Sequence, residues 1–174
     1  MLSISRNRFF KFLVLFSLIL LFVPACITDS KDDDAIKIET GTSFGMCVGY
    51  CKRTLQIEGK TATIYAESWR PEDYPKQKHE FALTDAEWDS LQALLTVTDM
   101  SGLEEVIGCP DCADGGAEWL AIKQDKKVHR STFNYGANIP EIAVMMEFLR
   151  PIRLRGEELI AKGQWKDTEE SGIR

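Results

Sequence analysis

Apolar and polar residues alternate with a period of two along several segments of the chain, which predicts β-strands. Arg53, Leu55 and Ile57 share one face of the first such run, and the turn sequence Glu58-Gly59-Lys60 separates it from a second run at 61–67. Two alternating runs joined by a glycine turn predict a β-hairpin. Similar runs predict three further strands, the last two in a second hairpin, at 78–83, 117–124 and 127–135.

Two other segments have the three- and four-residue spacing of amphipathic helices. Thr84 and Glu87 form a capping-box pair before the first helix, whose apolar face is predicted to contain Trp88, Leu91, Leu94 and Leu95. The second helix begins at Pro140, a favoured first helical residue, and its buried stripe is predicted to consist of Ile142, Met146 and Leu149. Pro151 predicts a kink or an end, followed by a shorter helix at 152–162.

The order hairpin, helix, hairpin, helix predicts an α+β domain. We expect an antiparallel sheet of about four or five strands in hairpins, with two main helices packed on one face. A parallel sheet would need long crossover connections, which the short turns exclude. The single folded domain is predicted at 37–163, after a tether at 26–36 and before a polar tail at 164–174.

Residues 1–25 have the pattern of a secretory signal peptide. A basic head with Arg6, Arg8 and Lys11 precedes an apolar run at 13–23. That run is shorter than the roughly 20 residues needed to span a membrane. We therefore expect this segment to be removed.

The sequence Val23-Pro24-Ala25-Cys26 resembles the lipobox of bacterial lipoproteins. The resemblance implies that Cys26 is acylated and becomes the first residue of the mature chain, which makes a lipid bilayer its predicted partner. Two or more acyl chains give stable anchoring. Ile27, in place of an aspartate after the cysteine, implies the outer rather than the inner membrane.

The acidic sequence at 29–34 cannot bury enough apolar surface to fold and predicts a solvated tether. Within it, Lys31, Asp32 and Asp33 resemble a Lys-acidic-acidic export signal that places lipoproteins on the outside of the outer membrane in one large bacterial phylum. The resemblance implies a location facing the cell exterior. The periplasmic face of the same membrane is the alternative.

The net charge argues against nucleic acid as a partner. Loss of residues 1–25, which contain three basic and no acidic residues, changes the net charge from −6 to −9. Nucleic-acid binding requires a concentrated basic surface. The densest basic group, Arg150, Arg153 and Arg155, is followed directly by Glu157 and Glu158.

Four further cysteines are Cys47, Cys51, Cys109 and Cys112. An even number in an exported chain predicts two disulfides, with three pairings open. Pairing Cys47 with Cys51 requires a bent backbone, which Gly49 permits, because cysteines four apart on a strand are too distant. Bridges between the two clusters require their loops to lie side by side.

The cysteines also permit chemistry other than disulfides. We predict a protein without a cofactor. A four-thiolate zinc site is the minority alternative, since only one of the two cysteine pairs has the Cys-x2-Cys spacing of zinc ribbons. Thiol–disulfide catalysis needs a helix amino terminus to activate the thiolate, and the sequence 113–116 opposes a helix there. Asp111 and Asp114 lack the spacing of an EF-hand calcium loop.

The two histidines, His79 and His129, lie in predicted strands, and the chain has no zinc-protease, serine-hydrolase or phosphate-loop motif. We therefore predict a non-enzymatic protein. The best candidate for a contact surface is the loop 68–77, in which Trp69, Arg70 and Tyr74 are residue types enriched at interaction hot spots. The alternative is that Trp69 caps the core.

The sequences SFGMCVGYCKRTLQIEG at 43–59 and GCPDCADGGAEWLAI at 108–122 resemble segments of a domain of unknown function found in bacterial lipoproteins. That resemblance supports the fold and implies no mechanism. The sequence thus predicts a lipid-anchored outer-membrane or cell-surface module that binds an unknown protein or glycan or has a structural role. The alternative is a four-cysteine metal-binding or thiol-redox protein.

Overall fold

The computed structural model describes residues 36–124 and 126–162. The strands are β1 (Lys37–Ser43), β2 (Tyr50–Glu58), β3 (Thr61–Ser68), β4 (Gln77–Ala82), β5 (Val106–Ile107), β6 (Ala117–Gln124) and β7 (Lys127–Asn134). The helices are α1 (Asp85–Val97) and α2 (Ala143–Ala161), with short 3-10 turns at Cys112–Asp114 and Pro140–Ile142. The signal segment, Cys26, the export signal Lys31-Asp32-Asp33 and the polar tail lie outside the described residues.

All seven strands belong to one sheet in the order β4-β3-β2-β1-β6-β7-β5. Each neighbouring pair is antiparallel except β5 and β7, which are parallel. The predicted α+β class and the two hairpins, β2–β3 and β6–β7, are confirmed. The described residues contain seven strands, so the expected number of four or five was too low.

The two strands absent from the prediction are β1 and β5. β1 has the sequence KIETGTS, in which Ile38 is the only strongly apolar residue. Its buried face contains Thr40 and Thr42, and the Thr40 hydroxyl donates a hydrogen bond of 2.8 Å to the Trp119 carbonyl oxygen. Hydropathy alternation does not detect a strand whose inward side chains are threonines. β5 has only two residues, too few for any periodicity.

One face of the sheet is covered by the helices and forms the core. Leu55 and Ile57 of β2, and the predicted β3 set Ala62, Ile64 and Ala66, are almost fully buried there. Leu120 and Phe133 continue this core across β6 and β7. The outward positions of the same strands are largely polar, so the opposite sheet face is open to solvent. We call it the open face.

Helix α1 begins where the capping box was predicted. The Thr84 hydroxyl accepts a hydrogen bond from the Glu87 amide, and the Glu87 carboxylate accepts one from the Thr84 amide. This reciprocal pair satisfies two amides that a helix start leaves without partners. Leu91 is fully buried, and Trp88 packs against the same core.

Helix α2 is one continuous helix of 19 residues through Pro151, so the predicted separate helix at 152–162 is wrong. Leu149 and Ile152 are both buried, and packing on either side of the proline holds the helix together. Pro151 removes the amide that would bind the carbonyl oxygen of Glu147. Both residues lie on the exposed side of the helix, where water can take the place of that donor.

Trp119 lies across Gly41 in the middle of the open face. A Cβ atom at position 41 would collide with the Trp119 ring and with the Arg53 carbonyl oxygen. The Trp119 indole donates a hydrogen bond of 2.9 Å to Glu39, and the Arg130 guanidinium lies 5.0 Å from the ring centroid. Because Gly41 has no side chain, the Trp119 ring packs against the backbone of β1. Trp119 is therefore only 3% exposed although it lies on the open face.

We expect Gly41→Ala to destabilise the fold by about 1–3 kcal/mol, because an added methyl group forces the ring or the strand to move. The matched control is Gly102→Ala, since a Cβ at position 102 meets no atom within 4 Å. The control should stay within about 0.5 kcal/mol of the parent. Urea unfolding measures both, and equal stabilities for the two variants would contradict the close approach of Trp119 to Gly41.

Candidate functional site

Four loops meet at one end of the sheet, at 44–49, 69–76, 108–116 and 135–139. Strand register places them together, because Ser43 at the end of β1 is opposite both Lys52 and Ala117, and Ala117 is opposite Asn134. We call this the disulfide end. The opposite end, where β1 begins and the β2–β3 and β6–β7 turns lie, is the base end.

The cysteines form two local disulfides at the disulfide end. Cys47 is bonded to Cys51 and Cys109 to Cys112, with Cα–Cα distances of 5.6 and 5.5 Å. Two disulfides are thus confirmed, and of the three open pairings the structure contains the local one. A disulfide sulfur is not a thiolate, so a four-thiolate zinc site would require both bonds to be reduced.

Local disulfides constrain the unfolded chain only modestly. Loops of five and four residues correspond to about 2 kcal/mol each in the loop-entropy model, whereas a bridge between the clusters would have contributed about 4 kcal/mol. The main effect of these bonds is therefore on the loops themselves. They limit how far the tips at Met46–Val48 and Pro110–Asp111 can move.

Hydrogen bonds join the two disulfide loops to each other and to the sheet. The Gly45 amide donates to the Asp111 carboxylate at 3.1 Å, across a sequence separation of 66 residues. The Cys109 amide donates to the Asn134 side chain at 2.9 Å. Asp111, considered above as a calcium ligand, thus holds the first disulfide loop against the second.

The backbone after Cys112 does not form an α-helix. Asp111, Ala113 and Asp114 all have left-handed φ angles between 51° and 62°. The Gly116 carbonyl oxygen then accepts hydrogen bonds from the Asp111 amide at 3.0 Å and the Tyr135 amide at 3.1 Å. Cys112 begins a short 3-10 turn and, among the described residues, no α-helix begins at the Cys109–Cys112 bond, whereas redox enzymes use an α-helix amino terminus to activate the thiolate.

Trp69, from the predicted contact loop, lies at the disulfide end and is hydrogen-bonded to the backbone of Phe44 there. Its indole donates a hydrogen bond of 2.8 Å to the Phe44 carbonyl oxygen. The Phe44 ring in turn meets Tyr135 edge-on, with ring centroids 5.0 Å apart. Trp69 is 56% exposed, so it lies on the surface and does not cap the core. Phe44 and Tyr135 were not predicted as site residues, because no sequence pattern links positions so far apart.

The rest of the contact loop packs on β2. The Tyr74 ring lies edge-on to Tyr50, with centroids 5.9 Å apart, and the Arg70 guanidinium lies 5.7 Å from the Tyr74 centroid. Arg70 also forms an ion pair of 3.5 Å with Asp73. The structure therefore places Trp69, Arg70 and Tyr74 together at the disulfide end, as one ordered aromatic edge.

Apolar side chains are exposed at the tips of these loops. Met46 is 81% exposed and Val48 76%, and both flank Cys47 in the first disulfide loop. With Trp69 at 56% and Tyr135 at 52%, they provide four of the nine large apolar side chains that are exposed among the described residues. These four side chains lie on three neighbouring loops, and exposed apolar surface gathered in one region marks interaction sites in soluble domains.

A cluster of charged side chains centred on the buried Glu118 joins β6 to α2 next to the disulfide end. Glu118 on β6 is fully buried and accepts hydrogen bonds from Arg150 at 2.7 Å and Arg153 at 2.9 Å. Arg150 also donates to the Ala137 carbonyl oxygen at 3.2 Å, which ties the loop after β7 to α2. The arginines considered above as a basic surface are thus structural. Their partner lies at least 32 residues away and was not predicted.

The pKa of Glu118 reflects two opposing effects. Burial by itself raises the pKa, but the hydrogen bonds and positive charges of Arg150 and Arg153 outweigh it and hold the pKa below its ordinary value. Glu157, one helical turn from Arg153, differs. Burial raises its pKa despite the charges of Arg153 and Arg53. Glu118 is therefore the charged centre of the cluster at neutral pH.

Among the described residues, the two histidines lie far apart in the sheet. His79 lies on edge strand β4 and His129 on β7, with four strands between them. On the open face the charges are paired with one another, as in Lys52 with Glu67 and Lys37 with Glu58. Across residues 36–124 and 126–162, His, Cys, Asp and Glu side chains do not cluster in a group of three suited to a metal ion.

Within the described part of the chain, neither helix has both the length and the apolar composition needed to span a bilayer. No protein-family model matches the sequence, and no curated protein shows a significant match to it. The resemblance to segments of lipoproteins of unknown function stays a prediction.

We expect Glu118→Gln to lower the free energy of unfolding at pH 7 by about 3 kcal/mol, because it removes the buried carboxylate that Arg150 and Arg153 share and leaves the buried Arg153 with only the longer contact of 3.6 Å to Glu157. As the pH falls below about 4.3, the unfolded state takes up the Glu118 proton before the folded state does, since the folded-state pKa is lowered. The parent protein therefore loses the stabilisation by ionised Glu118 as the pH falls, whereas the variant lacks this stabilisation at every pH. The difference in the free energy of unfolding between parent and variant should narrow on acidification.

Urea unfolding between pH 7 and pH 3 measures this gap. The control is Glu72→Gln, a surface substitution with the same change of charge, which should shift stability at pH 7 by no more than about 0.5 kcal/mol. A gap between parent and Glu118→Gln that stays constant across the range would show that Glu118 is not the charged centre of the cluster.

Proposed function

We propose that this chain is a lipid-anchored protein of the bacterial outer membrane that presents the disulfide end as a non-enzymatic contact surface. Acylated Cys26 provides the anchor, and the residues between it and β1 provide an acidic tether. The observation that carries the proposal is the position at which the chain enters the sheet. Lys37, the first residue of β1, is opposite Glu58 and Lys123 at the base end.

An anchor before β1 therefore attaches to the end of the sheet that is remote from the disulfides. β1 runs from Lys37 at the base end to Ser43 at the disulfide end. Seven residues at about 3.3 Å each correspond to roughly 20 Å. The exposed tips at Met46 and Val48 lie beyond that strand and are accessible to a partner when the base end faces the bilayer.

The chemistry of the anchor is consistent with lasting membrane attachment. A single acyl chain holds a protein marginally, whereas two or three chains contribute about 0.8 kcal/mol for each buried methylene group. A polar tether containing Lys31, Asp32 and Asp33 would keep the folded domain apart from the bilayer surface. We further propose that these three residues direct the protein to the outer face of the outer membrane.

A binding role also agrees with the structural roles of the charged cluster and of the cysteines. Glu118 is paired with Arg150 and Arg153, and Cys47, Cys51, Cys109 and Cys112 are in disulfides. The groups that remain available at the disulfide end include the exposed aromatic and aliphatic side chains of Met46, Val48, Trp69 and Tyr135. Such surfaces favour association through buried apolar area rather than proton transfer or nucleophilic attack.

We predict that Cys26→Ala abolishes membrane attachment through the acyl chains, because no other side chain in the lipobox can form the thioether. Fractionation of cells and intact-mass measurement of the isolated protein report the result. The expected outcome is a soluble or uncut form without acyl mass. Membrane association and mass identical to those of the parent would contradict the lipoprotein assignment.

The control for location is the triple substitution of Lys31, Asp32 and Asp33 by alanine. This variant should keep its acyl chains and stay in the membrane fraction, since Cys26 is intact. Protease added to whole cells should degrade the parent and spare the variant. Equal degradation of both would remove the outward-facing assignment and leave the anchor standing.

A further inference from the structure

The disulfide end is acidic as well as apolar. Its four loops contain four acidic residues, Glu72, Asp73, Asp111 and Asp114, and two basic residues, Arg70 and Lys76. Both basic side chains are neutralised locally, Arg70 by Asp73 at 3.5 Å and Lys76 by Glu67 at 3.1 Å. The surface around the exposed apolar tips therefore has a net negative charge.

Two of these acids are directed to solvent. Glu72 and Asp114 are exposed, and neither forms an ion pair with another described residue. They lie on different loops, 69–76 and 108–116, with Met46 and Val48 on the neighbouring loop 44–49. The rim of a partner that covers Met46 and Val48 would therefore lie near the negative charges of Glu72 on one side and Asp114 on the other.

We propose that the disulfide end binds a protein segment that carries basic and apolar side chains together, an inference that rests on the proposed function. Apolar side chains of the segment cover Met46 and Val48, and its lysine or arginine side chains approach Glu72 and Asp114. Electrostatic complementarity at the rim determines which partners associate and how fast, whereas the apolar contacts at the centre contribute most of the affinity.

The same charges disfavour other classes of ligand. Anionic polymers and anionic lipid headgroups are repelled by an acidic rim. A neutral glycan stacked on Trp69 or Tyr135 would bind with little dependence on Glu72 and Asp114. The dependence of affinity on the charges of Glu72 and Asp114 therefore distinguishes a basic protein segment from these ligands.

The loops are ordered before a partner arrives. The disulfides Cys47–Cys51 and Cys109–Cys112 and the hydrogen bond from Gly45 to Asp111 fix their relative positions. Preorganised loops lose less conformational entropy on association. A partner segment of a few residues can then bind with measurable affinity.

The test uses the full acylated chain in nanodiscs of zwitterionic lipid, with empty nanodiscs as the blank. Two labelled ten-residue peptides serve as probes, each with two leucines and one tryptophan, one with four lysines and the other with four glutamates at the same positions. Fluorescence polarisation gives the dissociation constants. The lysine peptide should bind at least tenfold more tightly than the glutamate peptide, and raised salt should reduce the difference.

Matched variants locate the binding surface. The double variant Met46→Ser and Val48→Ser should weaken the lysine peptide at least tenfold. Its control, Val97→Ser with Val144→Ser, removes two exposed valines of similar exposure from α1 and α2 and should change affinity less than twofold. Melting temperatures of both variants should stay near that of the parent, because all four side chains are exposed.

A second pair of variants tests the charge. Glu72→Gln with Asp114→Asn should weaken the lysine peptide about three- to tenfold at low salt, while Glu104→Gln with Glu105→Gln, exposed acids outside the four loops, should not. If the glutamate peptide binds as tightly and still depends on Met46 and Val48, the charge assignment is overturned and the proposed contact surface stands. Absent binding of the lysine peptide, or equal loss in the valine control, overturns the inference of a basic and apolar partner segment.

Discussion

The pairing of β1 on both of its edges is the constraint on which the rest of the structure depends. β1 joins β2 on one side and β6 on the other, and so brings a hairpin from the first half of the chain into one sheet with a hairpin from the second half. Gly41 gives Trp119 room on the open face, and Thr40 binds the Trp119 carbonyl oxygen on the buried face. Because β1 ends beside the starts of β2 and β6, the loops that carry the two disulfides become neighbours.

A buried charge cluster then fixes helix α2 to this end of the sheet. Arg150 and Arg153 lie one turn apart on α2 and share the single carboxylate of Glu118. Buried ion pairs add little net stability relative to apolar packing, but their loss is strongly destabilising because it leaves uncompensated charge. We infer that the cluster mainly determines where α2 lies, which in turn positions the loop containing Tyr135 beside Phe44.

Local patterns in the sequence predicted the elements that local forces determine. The two hairpins follow from period-two alternation, and the start of α1 follows from the capping box of Thr84 and Glu87. The failures are elements that depend on distant contacts. β1 has inward threonines that only its neighbours make favourable, and α2 continues through Pro151 because packing on both sides of the proline holds it. The pairing of Glu118 with Arg150 depends on tertiary proximity, which one sequence does not display. The cysteine spacing by itself left all three disulfide pairings open.

We propose that the base end lies next to the membrane and the disulfide end away from it. Energy transfer from a donor dye on the domain to acceptor-labelled lipids, with the full acylated chain in vesicles, tests this orientation. An azide-bearing amino acid carries the dye at position 126, in the exposed β6–β7 turn of the base end, or at position 46, on the exposed tip of the disulfide end. The two positions are separated by about the length of β1, roughly 20 Å, so transfer should be clearly stronger from position 126. Equal transfer from both positions, or stronger transfer from position 46, would contradict the claim.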